Sequence, residues 1–179
     1  MQLMLLLARG IDAINEWIGK WVRWLALGAV LVSATNALSR YTFSASSNAW
    51  LELQWYMFSA MFLLAAGYTL KHNDHVRLDV LFTRWSPRTQ AWIDIFGTVV
   101  FLLPICGLIL YFGWSFFTVS YGQNEQSADP GGLARWPVKA FVPLGFALLI
   151  LQAVAELIKR FAFLSGAGPD PLLRKERVR

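Results

Sequence analysis

The chain has 179 residues, of which 56% are hydrophobic and 15% are charged, and its formal net charge at pH 7 is +5. So few charged side chains cannot cover a soluble domain of this size, and the composition indicates an integral membrane protein. A positive charge would suggest nucleic-acid binding in a soluble protein, but here it is an orientation signal, and no nucleic-acid partner is expected. The single cysteine, Cys106, excludes an intramolecular disulfide.

Four stretches of the chain contain no charged residue, and each is long enough, with its flanking turns, to cross roughly 30 Å of hydrocarbon as a helix. They cover residues 24–39, 53–70, 95–124 and 140–155. The sequence therefore predicts an all-α integral membrane protein with four transmembrane helices preceded by an amphipathic interfacial N-terminal helix. The predicted elements of this single membrane domain, residues 1–179, are an interfacial helix at 1–21, spans at 22–41, 49–70, 90–120 and 138–160, and a cytoplasmic tail at 165–179.

Most of the sixteen lysines and arginines fall in the segments that four spans place on the same side as the N-terminus. Only Arg40, Arg135 and Lys139 fall on the other side. Because basic residues concentrate in cytoplasmic segments, both termini and the middle loop are predicted to be cytoplasmic. No cleavable signal peptide is expected, because the apolar run at residues 3–8 is short and Arg9 follows it.

Residues 1–23 have the pattern of a two-sided helix. Apolar residues recur at spacings of three and four, and charged residues recur on the opposite face. Trp17, Trp21 and Trp24 lie near the junction with the first span, where tryptophan anchors helices at the membrane surface. We therefore expect a helix in the cytoplasmic interface, anchored by these tryptophans; the alternative is a helix that extends the first span into water.

The start of the second span contains the most informative acidic residue. Asn48 is the predicted N-cap of this helix, and Glu52 follows in its first turns. An ionisable group at membrane depth is costly and often functional, so one interpretation is that Glu52 carries a proton or an ion. In the other, it lies at the headgroup level, is favoured by the helix dipole, pairs with Arg40 and has a structural or subunit-contact role.

The loop after the second span contains two histidines and two aspartates, His72, Asp74, His75 and Asp79. Their spacing matches no closed zinc pattern and supplies no thiolate, so no metal site is expected. Ion pairs and hydrogen bonds that hold a tight turn or a neighbouring subunit are the preferred interpretation. A short surface helix is predicted at residues 76–82.

Two features are predicted within the third and fourth spans. Pro87 is expected to open the third helix, and Pro104 is expected to kink it near Val100 because proline removes a backbone donor. In the fourth span, Glu156 and Arg160 are four residues apart and are predicted to form an ion pair. The tail that follows is expected to be disordered or to lie against anionic lipid.

The loop before the last span contains a turn signal, because Asp129 and Pro130 precede Gly131 and Gly132. Two interpretations remain open for this loop. The turn and an exposed Trp136 form a protein-contact surface, or the tryptophan only anchors the turn at the membrane interface.

Several classes of function are disfavoured by what the spans lack. An enzyme needs a convergent set of nucleophile, base or metal ligands, and a haem protein needs histidines within its spans. An independent transporter normally has polar groups or broken helices at mid-membrane. The residues therefore favour a scaffold or accessory subunit without enzymatic activity, cofactor or metal, and the alternative is an independent small four-helix transporter or channel.

The order of the segments resembles a known family. It comprises the amphipathic first helix, a first span ending in Arg40 and Tyr41, the sequence Asn-Ala-Trp-Leu-Glu at 48–52, the sequence His-Val-Arg-Leu-Asp-Val at 75–80, and four spans in all. Over nearly its whole length the chain is similar to the small membrane subunit of tripartite ATP-independent periplasmic (TRAP) transporters. The stretch 125–133, followed by Trp136, Pro137 and Lys139, resembles the mannitol and chloroaromatic compound or keto-acid branch.

The resemblance implies a complex in the bacterial inner membrane. A periplasmic substrate-binding protein would deliver an organic acid to two membrane subunits. The large subunit would hold the substrate and sodium sites and move as an elevator, driven by the sodium gradient. The small subunit would then be a scaffold that braces the large subunit and is surrounded by membrane lipids.

The resemblance also assigns expected contact residues. Those expected to contact the large subunit are Arg40, Glu52, Trp55, His75, Arg77 and Asp79. Those expected to help dock the binding protein are Glu125, Asp129, Gly131, Gly132 and Trp136.

Overall fold

The computed structural model describes residues 2–72 and 85–168, and these form a bundle of helices. The helices are α1 (Gln2–Phe43), α2 (Asn48–Leu64), α3 (Ala66–His72), α4 (Pro87–Gly97), α5 (Leu103–Gly122) and α6 (Trp136–Leu164), with a π-helical segment, Thr98–Leu102, between α4 and α5. An isolated antiparallel bridge joins Gln126 and Ala134 in the loop before α6. The predicted all-helical class is confirmed for these residues.

Three helical stretches of the described residues are long and apolar enough to cross a membrane: Gln2–Phe43, Pro87–Gly122 and Trp136–Leu164. The predicted second span corresponds to α2 and α3, which contain 17 and 7 residues. Backbone hydrogen bonds continue through Ala65 between them, since its N–H donates to the oxygen of Met61 at 3.1 Å and its oxygen accepts from Thr69 at 2.9 Å. A fourth span thus requires α2 and α3 to act together, and it remains a prediction.

Helix α1 is uninterrupted over 42 residues. At 1.5 Å per residue, this corresponds to a length of about 63 Å. No break separates the predicted interfacial helix at 1–21 from the predicted span at 22–41. The buried residues of α1, Ala8, Asn15, Val22 and Ala29, are seven positions apart and form one stripe against the bundle. An interfacial position for the first half of α1 remains a prediction.

Helix α6 is the centre of the bundle, because it contacts each of α1 to α5. Ala153 and Ala155 on α6 are fully buried. A Cβ on Gly145 would lie 2.6 Å from the backbone oxygen of Leu63 in α2, so glycine permits the close approach of these two helices. Small residues at such contacts are the usual way in which membrane helices pack.

The helix starts agree only partly with prediction. Ser47, and not Asn48, is the N-cap of α2, so the predicted cap is wrong. The prediction that Pro87 opens the third helix is confirmed. Ser86 caps that helix, with its Oγ accepting a hydrogen bond from the N–H of Thr89 at 3.3 Å.

The π-helical segment Thr98–Leu102 lies where the proline-induced kink was predicted. Pro104 has no N–H to donate to the oxygen of Val100, so the regular α-helical pattern is interrupted at this turn. The sequence therefore located the irregularity, but the π-helical form was not predicted.

Candidate functional site

The loop at residues 123–135 folds back over the start of α2 and is held there by Glu52. Glu52 is 3% exposed. Its Oε2 accepts a hydrogen bond from the backbone N–H of Leu133 at 2.5 Å, and its Oε1 accepts from the Ser127 hydroxyl and from Nη2 of Arg135, the latter at 3.2 Å. We call Glu52, Ser127, Leu133 and Arg135 the loop clamp.

Two further residues of α2 hold the same loop. The Tyr56 hydroxyl donates to the backbone oxygen of Ala134 at 2.7 Å, and Nδ2 of Asn48 donates to that of Pro130 at 3.0 Å. Asn48, Glu52 and Tyr56 are four residues apart, so they lie on one face of α2. One face of the first half of α2 therefore holds the loop in place.

The glycines of the predicted turn have distinct roles. Gly131 has a φ of 74°, in the left-handed region that favours glycine. A Cβ on Gly132 would overlap the Ser127 side chain and lie 2.8 Å from Oε1 of Glu52. Gly131 thus makes the turn, and Gly132 makes room for the loop clamp.

The predicted pairing of Glu52 with Arg40 is wrong, because the partner of Glu52 is Arg135. Arg40 is exposed and forms no ion pair with any residue in 2–72 or 85–168. The Arg135 guanidinium carbon also lies 5.2 Å from the centre of the Trp55 ring, close enough for a cation–π contact. Sequence spacing favoured Arg40 because it is nearer in the chain, whereas the folded loop brings Arg135 to the carboxylate.

A second ion pair, between Lys139 and Glu125, fixes the other end of the loop. The hydrogen bond from Lys139 lowers the pKa of Glu125 below its ordinary value of 4.5, with Ser120 contributing in the same direction. Lys139 Nζ also lies 4.1 Å from the centre of the Phe116 ring. Glu125 therefore remains ionised at neutral pH and ties the loop to α6.

At the other end of α6, a polar network joins α1 to the bundle. Asn15 Nδ2 donates to Oε1 of Gln152 at 3.0 Å, and Gln152 Nε2 donates to Asp12 at 2.8 Å and Glu156 at 3.2 Å. Lys159 bridges the same two acids, at 3.0 Å from Asp12 and 2.6 Å from Glu156. Asn15 and Gln152 are completely buried.

The network extends to α3 through Glu16. Oε2 of Glu16 lies 2.6 Å from Lys71 Nζ and 2.9 Å from His72 Nε2. We call these eight residues the three-helix cluster: Asp12, Asn15 and Glu16 of α1, Lys71 and His72 of α3, and Gln152, Glu156 and Lys159 of α6. The acidic face of the first half of α1 therefore contacts other helices of the chain.

The predicted Glu156–Arg160 ion pair is also wrong. Glu156 pairs with Lys159, and Arg160 pairs with Asp94 of α4 at 2.5 Å. The spacing of four allowed the predicted contact, but the neighbouring helix supplies an acid for Arg160.

The remaining predicted site residues have varied positions. Trp17, Trp21 and Trp24 are exposed on α1, as membrane anchors require. Trp136 was expected to be exposed but is half-buried, with its ring centre 5.3 Å from that of Tyr121. His75, Arg77 and Asp79, the predicted helix at 76–82 and residues 169–179 of the tail lie outside the described residues.

The structure thus brings together residues from both predicted contact sets. Glu52 and Trp55 meet Glu125 and Gly132 around one loop, whereas Arg40 stands apart. Sequence reasoning missed Arg135 and the three-helix cluster. The sequence did contain a signal for the cluster. Asp12 and Glu16 are four residues apart on α1, and Gln152 and Glu156 have the same spacing on α6.

Two chemical features define what this arrangement can do. The buried acids of both clusters have partners within the chain, and large apolar side chains are exposed along α1, α4 and α5. Over its described residues, such a chain belongs to the class of multi-helix membrane proteins that present an apolar outer surface and an ordered polar loop. The profile of the family described as tripartite ATP-independent periplasmic transporters, DctQ component, matches residues 12–163, and the chain belongs to this family. No curated protein matches it.

Proposed function

We propose that the chain serves as the fixed scaffold of a sodium-coupled TRAP transporter for organic acids, bracing a mobile large subunit. The family implies association with a large membrane subunit and a binding protein. The observation that supports a scaffold role is that the buried acids Glu52 and Glu156 are engaged in internal contacts, while many large apolar side chains face outward. The transport chemistry then belongs to the large subunit.

The loop clamp supports a second element of the proposal, that the loop at 123–135 helps to dock the binding protein. Glu125 and Gly132 are engaged in holding the loop, and Trp136 packs on Tyr121. Asp129 and Gly131 are exposed at the turn. We infer that docking involves the turn, and that the other predicted residues fix its shape.

The same division applies to the large-subunit contact. Glu52 acts on a partner through the loop that it holds, whereas Trp55 and Arg40 are exposed. The loop around His75, Arg77 and Asp79 remains proposed as a contact on the basis of family resemblance. We further propose that the chain lies in the bacterial inner membrane with both termini in the cytoplasm, which the distribution of basic residues supports.

Reconstitution tests the scaffold role. Proteoliposomes would contain this chain alone, the large subunit alone, or both, each with the binding protein and an organic-acid substrate under a sodium gradient. We expect uptake only with both membrane subunits. Sodium-driven uptake by this chain alone would instead support the independent transporter, and full uptake by the large subunit alone would exclude a required scaffold.

A further inference from the structure

A pocket of about 250 Å³ lies between the end of α1 and the start of α2, apart from the loop clamp and the three-helix cluster. Its lining residues are Thr35, Asn36, Ser39, Ala45, Ser46, Ser47 and Trp50. Since one water molecule takes about 30 Å³ of liquid, the pocket has room for about eight waters. A small polar group fits this space, but a long acyl chain does not.

Six of the seven lining side chains can donate a hydrogen bond and none is an acid, while apolar atoms supply most of the exposed lining. The Ser39 hydroxyl donates to the backbone oxygen of Ala45 at 3.2 Å, which holds the turn between the helices. Within residues 2–72 and 85–168, the side chains of Thr35, Asn36 and Ser46 make no hydrogen bond. Hydroxyl and amide groups of this kind are donors for an oxyanion.

The surroundings of the pocket combine a positive charge with aromatic and aliphatic surface. Arg40 follows Ser39 in α1 and is exposed. Tyr41 and Phe43 are 84% and 76% exposed, and aromatic side chains of this kind favour the headgroup level of a membrane. Leu31, one turn before Thr35, is 57% exposed and offers apolar surface toward the hydrocarbon.

We propose that this pocket binds the phosphodiester headgroup of an anionic glycerophospholipid. Thr35 and Asn36 donate hydrogen bonds to the phosphate oxygens, Arg40 balances the charge, and an acyl chain lies along α1 past Leu31. The absence of acid from the lining and the neighbouring arginine favour an anionic headgroup over a zwitterionic one. This inference rests on the membrane placement proposed above.

The test is native mass spectrometry of the delipidated full chain in neutral detergent. The chain is titrated separately with phosphatidylglycerol, phosphatidylcholine and inorganic phosphate. We expect one tightly retained phosphatidylglycerol and weaker retention of phosphatidylcholine. Arg40→Ala removes the balancing charge and should weaken phosphatidylglycerol binding about tenfold. Thr35→Val removes one neutral hydrogen bond and should weaken it by a smaller factor.

Lys20→Ala is the matched control, because it removes an exposed basic residue of the same helix far from the pocket. Equal losses in Lys20→Ala and Arg40→Ala would show nonspecific charge attraction and overturn the pocket assignment. Equal binding of inorganic phosphate would overturn a lipid-specific site. Because the large subunit is absent from this titration, failure of the scaffold proposal would leave the result unchanged.

Discussion

Asn15 of α1 donates a hydrogen bond to Gln152 of α6 at 3.0 Å, although 137 positions separate the two residues in the chain. Both side chains are fully buried. Gly67 of α3 completes the contact, because a Cβ there would overlap the Asn15 side-chain oxygen. One amide pair thus fixes the relative positions of three helices.

Gln152→Leu should lower the stability of the bundle. The leucine is similar in size but leaves Asn15 and Asp12 without a shared partner. We expect a loss of about 1–3 kcal/mol in the free energy of unfolding, measured by denaturant titration in micelles. The control is Gln123→Leu at an exposed position, which should change stability by less than about 0.5 kcal/mol. Equal effects would exclude a specific role for the amide pair.

Glu52→Gln should loosen the loop at 123–135 while leaving the helices intact. The amide keeps the size of the side chain but loses the charge that attracts Arg135. The expected result is faster hydrogen exchange at the Leu133 amide, whose N–H donates to Glu52. Arg40→Ala provides the control, since Arg40 does not contact the clamp. If Arg40→Ala had the larger effect on exchange, the assignment of Arg135 as the partner would be wrong.

Gly145→Ala should separate α6 from α2. Its Cβ would lie 2.6 Å from the Leu63 oxygen, which belongs to a backbone that cannot move easily. We expect a loss of about 1–3 kcal/mol by thermal or denaturant unfolding. A Cβ on Gly107, in contrast, would meet no atom within 4 Å. Gly107→Ala should therefore be neutral or slightly stabilising, because alanine favours the helix.

The Glu125–Lys139 pair should make loop order depend on pH. Because the folded protein lowers the pKa of Glu125, this pair contributes stability above the ordinary value of 4.5, and the contribution is lost as the pH falls through the lower folded value. Loop protection from protease should therefore remain constant from pH 7 to 5 and fall in more acidic solution. Glu125→Gln should remove part of this acid dependence; an unchanged pH profile would assign it to another group.

Asp129→Ala should reduce transport mainly when the binding protein is limiting. The side chain is exposed at the turn, so its loss should weaken docking without disturbing the loop clamp. Uptake by the reconstituted complex, measured across a range of binding-protein concentrations, checks this expectation. An equal loss at saturating binding protein would indicate damage to the membrane subunits. Trp136→Ala is a poorer test, since Trp136 packs on Tyr121.

The helical plan could be predicted because apolar length and flanking charges are local properties of the sequence. The predicted last span, 138–160, lies within α6, and Pro87 opens α4. Which charged residues pair with each other could not be predicted in the same way. The Glu52–Arg135 pair bridges 83 positions, and the loop that carries Arg135 is held in place by these contacts themselves.

Helix α6, which contacts each of the other five helices, is the last of the described helices in the chain. During synthesis, α1 to α5 emerge from the ribosome before α6 does. Until then, Asp12 and Asn15 of α1 lack Lys159 and Gln152, their partners on α6. The bundle should therefore pack only after α6 has been made. A chain truncated before Trp136 should be degraded in the cell instead of forming a smaller stable fold.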